Sequence, residues 1–148
     1  MHFVVAYDGT PLSRTALDRA ETLAAGVDGR VTAVTILPDG NTRYARERGW
    51  LDDGTSWDET AVLETLAESV TAVAPDAAFD YRMVDTYAPR GAIGRALKQT
   101  AERDGVDVLA IGSDNAGRVL TSLTTVTRSV GSGTYDLLLV READSGRR

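Results

Sequence analysis

A chain of 148 residues with 22 Asp and Glu against 16 Lys and Arg carries a formal net charge of −6, which argues against general electrostatic binding to nucleic acid or to an anionic membrane. It has no Cys and a single His, His2, so disulfides, thiolate chemistry, His-based triads and multi-His metal sites fall away. The length points to one domain over residues 1–148, large enough to bury about two thirds of the surface its unfolded chain exposes.

The chain opens with HFVVAY at residues 2–7, a continuous apolar run ended by Asp8-Gly9, which is the pattern of a strand covered on both faces. Thr10 is placed to cap a helix with Pro11 at its first position, a stripe of Leu12, Ala16, Ala20, Leu23 and Ala24, and Gly26 as its stop. RVTAVTIL at 30–37 is a second strand, rich in β-branched residues. Residues 38–58, PDGNTRYARERGWLDDGTSWD, are polar and turn-rich, and read as a variable loop (38–57) of the length of a functional lid or mobile segment. Trp50 and Trp57 are expected to pack that loop on the domain, and Arg43, Arg46 and Arg48 to form a solvated face. His2 is expected at the surface without a role.

Val62, Leu63, Leu66, Val70 and Val73 recur at helical spacing. AFDYRMV at 78–84 alternates, with Phe79, Tyr81 and Met83 on one side and Asp80 and Arg82 on the other, as in a half-exposed edge strand. A helix over 91–103 ends at Gly105, and DVLAIG at 107–112 is another buried strand. The Thr- and Ser-rich stretch that follows places Leu120, Leu123, Val126 or Thr127, and Val130 at helical spacing. YDLLLVRE at 135–142 is the last strand, and 142–148 is a polar tail.

Strict alternation of strand and helix predicts an α/β domain: a five-stranded parallel sheet in the order 3-2-1-4-5 with helices on both faces, in the manner of a Rossmann fold. The switch point then lies between strands one and four, where ligands collect at carboxyl ends. Those ends are Asp8-Gly9 and Gly112-Ser113.

VVAYDGTPLSRTALDRA, and GVDVLAIGSDNAGRVLTSLTTVTRSVG followed by YDLLLVR, resemble the two ends of universal stress proteins. The likeness runs over residues 3–141 and is weakest across 38–57. In nucleotide-binding members, strand four leads into Gly-x-x-Gly, nine residues, then Gly and Ser or Thr. Backbone N–H groups there form a nest for phosphate. The resemblance places Gly112 at the first Gly and Asn115 at the second; Gly117 resembles a further loop Gly if one residue is deleted. Thr124, Thr125 and Val126 then fall on Gly-Ser-Val, so Thr125 keeps the hydroxyl while Thr124 brings a β-branched side chain where Gly is expected. Without the deletion, Thr125 replaces the Gly and Val126 the Ser. The phosphate end is degraded either way. At the base end, Asp8 matches the strand-one Asp beside the nucleoside, Ile36 the strand-two position whose backbone meets adenine, and Ile111 an apolar residue lining the base.

The resemblance implies a regulatory or stress-response module with a degenerate adenine-nucleotide site, binding ATP or another adenine nucleotide if anything, with at most weak hydrolysis. The residues leave two alternatives. One is a functional ATP binder with slow hydrolysis. The other is a nucleotidyl-transfer or electron-transfer enzyme on a related fold, for which Asp8 and Asp114 are the candidate carboxylates. The hydroxyls of 120–131 equally suit the plain task of capping and coating an exposed helix. A homodimer through the last strand (135–141) is expected, with an unidentified protein partner, no nucleic acid, no membrane and a cytoplasmic location. Fifteen of the 16 cations are Arg and Asp outnumbers Glu by 15 to 7, a bias that fits either a salt-adapted proteome or a GC-rich genome.

Overall fold

The run HFVVA forms β1 (His2–Ala6) in the middle of the sheet, and its apolar continuity follows from that position. Phe3 and Val5 enter one core with Ala33 and Leu37, while Val4 enters a second with Val34, Ile36 and Ile111. A strand with helices on both faces has no solvent side, so polar alternation disappears.

The computed structural model describes residues 1–89, 91–103, 105–113 and 135–141. In chain order its elements are β1, α1 (Pro11–Gly26), β2 (Arg30–Pro38), α2 (Thr42–Glu47), α3 (Glu59–Val73), β3 (Ala78–Val84), α4 (Ala92–Arg103), β4 (Val108–Gly112) and β5 (Asp136–Val140). The five strands are all parallel, in the order β3-β2-β1-β4-β5. Leu17 of α1 and Leu66 and Val70 of α3 fill the first core; Leu97 and Ala101 of α4 fill the second. Helices therefore cover both faces, as strand-helix alternation predicts. Among the described residues no helix is long and apolar enough to cross a membrane.

Local chemistry sets the helix ends. Thr10 caps α1, its side chain accepting from Ser13 N–H, with Pro11 at the start, where a missing N–H costs nothing. The helix ends at Gly26, as its sequence predicts, with its cap at Val27, and the chain reverses at Asp28 with φ 53°. Asp tolerates the left-handed region because its short polar side chain bonds locally.

Residues 38–57 are not one open loop. Asn41 accepts from Tyr44 N–H at 3.0 Å and starts α2; beyond it Ala45, Trp50 and Leu51 are buried in the α1–α3 core and Trp57 packs against it. The packing expected of both Trp residues is present, but on a built segment. His2 is also buried rather than at the surface, 8% exposed. Its N–H donates to Asp107 Oδ2 at 2.7 Å, and its Nε2 shares a hydrogen bond with Thr32 Oγ1 at 2.9 Å, tying the amino ends of β1, β2 and β4. On edge strand β3, Phe79 reaches the core while Tyr81 and Met83 run out beyond its cover.

Candidate functional site

The turn after β1 is held by its own polar groups. Asp8 Oδ1 accepts from Thr10 N–H at 3.1 Å and from the Thr10 hydroxyl at 2.6 Å, while Asp8 N–H donates to Ser13 Oγ at 3.3 Å. Gly9 between them has φ 81°, a conformation that strains any residue with a Cβ. Trp50 Nε1 donates to Asp8 O at 2.7 Å, and Arg14 Nε donates to Gly9 O at 2.9 Å. The turn after β1 is thereby fixed by its own hydrogen bonds. Tyr7, one position earlier, shares a hydrogen bond with Ser69, and burial pushes its phenol above the ordinary value, so it stays neutral.

At the carboxyl ends of β1, β2 and β4 lies a cavity of about 710 Å³. Its floor is apolar, from Val34, Ile36, Leu97 and Ile111; one wall carries Asp8, Thr10 and Ser13, another Asn41, Tyr44 and Arg48. The loop after β3 adds Thr86 and Tyr87. A concave apolar floor with a few convergent polar groups is the form of a small-molecule site. Asp8, Ile36, Ile111 and Gly112 all line this one cavity. Asn115, Gly117, Thr124, Thr125, Val126 and Asp114 lie outside the described residues.

Gly112 has a packing role independent of any ligand. A Cβ there would sit 2.7 Å from Leu12 Cγ, so the close approach of α1 to β4 requires glycine. Gly112→Ala is therefore expected to lower unfolding stability by about 1–3 kcal/mol in urea titration. Leu12→Ala in the same chain should recover part of that loss, because the two substitutions share one contact.

The α2 segment brings a residue that the sequence reading left in solvent. Arg48 closes α2 with its guanidinium 3.5 Å from the Tyr44 ring centroid and Nε 3.8 Å from Asp8 Oδ2. Arg43 and Arg46 do point elsewhere: Arg43 pairs with Glu47 at 3.1 Å in solvent, and Arg46 Nη2 donates to Thr55 O at 2.6 Å. The signal available in the sequence was Asn41 followed by TRYARER, a capped turn that puts Tyr44 and Arg48 on one side. Asn41 Nδ2 also donates to Thr86 O at 2.9 Å, joining two walls of the cavity.

The model of the universal stress protein family matches residues 1–135. No curated protein sequence matches the chain. Among solved structures, a universal stress protein in complex with cAMP is 24% identical, covering 97% of this chain and 98% of its own, with a TM-score of 0.55. The universal stress protein of Archaeoglobus fulgidus in complex with dAMP is 15% identical over 94% and 95%, with a TM-score of 0.57. A member of that family from Burkholderia pseudomallei is 18% identical over 94% of both chains, with a TM-score of 0.53. At these identities the likeness to the solved structures is one of fold.

Proposed function

The chain belongs to the universal stress protein family, and on that premise we propose that it is a stress-response regulatory module whose cavity takes an adenine nucleotide mainly by its nucleoside end. The observation that carries this reading is the preformed cavity itself. Ile36 and Ile111 give it apolar lining, and Asp8 lines the same cavity. Relatives of the same fold crystallised with cAMP and with dAMP support the ligand class. The phosphate end is the weaker part, because a threonine (Thr124 with a one-residue deletion, Thr125 without it) stands where the family pattern has a glycine whose backbone approaches phosphate. The module is a homodimer through β5 in this proposal.

Calorimetric titration with AMP and ATP tests the reading. Both should bind, with affinities within about tenfold, since a degraded nest adds little beyond one phosphate. Asp8→Ala, with its fold checked by circular dichroism, should weaken both by about tenfold or more, the usual cost of losing a charged hydrogen-bond partner. Binding of ATP far tighter than AMP would replace this reading with that of a functional ATP binder. No change on Asp8→Ala would remove Asp8 from the site.

A further inference from the structure

β3 is the edge of the sheet opposite β5, seven residues long, with Tyr81 and Met83 each 37% exposed. One bond gives the facing of its main-chain groups. Asp39 N–H donates to Val84 O at 2.9 Å, so the groups of Val84, Arg82 and Asp80 point at β2. Strand alternation then turns those of Phe79, Tyr81 and Met83 outward. An edge of this length and composition is a template for a further strand.

The middle of that edge is already taken. Tyr81 N–H donates to Asp80 Oδ1 at 2.8 Å, and Tyr81 O accepts from Arg82 Nη1 at 3.2 Å. The same Nη1 donates to Asp80 Oδ2 at 3.0 Å, which locks the two side chains to each other. Both outward groups of Tyr81 are thus used by its own two neighbours, which form a clamp across the edge. As an ion pair the clamp adds little to stability, since the Arg82 and Asp80 side chains remain 35% and 44% exposed. Its effect is on pairing. An incoming strand has to displace two bonds to charged groups, which are stronger than the amide bonds that would replace them.

The opposite edge is built differently. Asp136 N–H donates to Asp107 O at 2.8 Å, so alternation turns the groups of Leu139 outward. Leu139 stands between Leu138 and Val140, and neither has a polar group to cover them. A sheet open at both edges adds chains without limit, whereas one open at a single edge closes at two.

We propose that Asp80 and Arg82 shut the β3 edge to strand addition and leave the β5 edge to a second copy of the chain. The limit of two rests on the β5 dimer in the reading above; the closure of β3 stands without it.

Analytical ultracentrifugation of the full chain tests this with the double variant Asp80→Ala, Arg82→Ala. It removes one charge of each sign and leaves the net charge at −6. The wild type should reach two chains and no more. The double variant should form larger species, and the concentration at which half of the chains enter them should fall by about tenfold or more. Adding Tyr81→Pro removes the outward N–H, keeps the ladder to β2 and should restore the wild-type mass. Asp80→Ala and Arg82→Ala made separately free one group each and should give part of the growth; they cover the case in which the double variant folds poorly. Wild-type mass for all these variants up to millimolar concentration would overturn the inference. Larger species that persist with Tyr81→Pro would also overturn it, by placing the new contact on another surface. A monomeric wild type whose double variant dimerises, and reverts with Tyr81→Pro, would sustain the clamp and remove the β5 dimer.

Discussion

Trp50→Ala is expected to lower the unfolding free energy by about 3–5 kcal/mol, the range for truncating a buried aromatic. Trp50 is 3% exposed and belongs to the same core as Leu66 and Leu51. Its ring meets Tyr44 at a centroid distance of 5.5 Å and a tilt of 59°, and its Nε1 donates to Asp8 O. Truncation therefore opens a core cavity, removes an aromatic contact and leaves the Asp8 carbonyl unbonded. The last two effects reach the candidate site, because Tyr44 carries Arg48 and Asp8 is its neighbour. Trp50→Phe separates the effects: it keeps most of the burial and loses the hydrogen bond, for an expected cost of about 1–3 kcal/mol. Urea unfolding of the three chains checks both values. A loss below about 1 kcal/mol for Trp50→Ala would mean that the segment around α2 lies outside the cooperative core.

What was legible in the sequence depended on regular patterns. The strand order followed from alternation and the handedness of crossovers, the positions of Asp8 and Gly112 followed from where those strands end, and Ile36 and Ile111 came from the family resemblance. The start of α1 was legible because Thr10 and Pro11 act on their own neighbours. The misses share one cause: tertiary contacts decided the outcome. α2 is six residues long, too short for a hydrophobic period, and holds because Trp50 is buried beyond it. Arg48 looked solvated because charge runs in polar segments usually are, and only the fold brings it beside Asp8, 40 positions earlier in the chain. The stop of α1 at Gly26 was legible as its start was, while the reversal at Asp28 that follows it was not, because it depends on the approach of Gly29 to the start of β1: a Cβ at Gly29 would sit 2.8 Å from Met1 O.

Wild-type protein is expected to be dimeric in solution through β5, and Leu139→Pro to make it monomeric. β5 stands at the edge of the sheet, and among the described residues it pairs with β4 alone. Leu137 and Leu139 are 38% and 42% exposed, while Leu138 and Val140 turn toward the α1–α3 core. A leucine-rich edge with free backbone groups invites pairing with another chain. The direction of those groups follows from one bond. Asp136 N–H donates to Asp107 O at 2.8 Å, so strand alternation points the N–H groups of Leu138 and Val140 at β4 and those of Leu137 and Leu139 outward. A second copy of the same strand, antiparallel, would satisfy them in an isologous contact and join two five-stranded sheets into one. Proline at 139 removes an outward donor and places its ring in the path of the partner, with the β4 ladder untouched. Proline at 138 acts on the other side: it removes a bond to β4 and should lower fold stability instead. Light scattering at micromolar concentration, in low and high salt, distinguishes these outcomes. A wild type that is monomeric in both would exclude the β5 interface, and a Leu139→Pro chain that stays dimeric would place the contact on another surface.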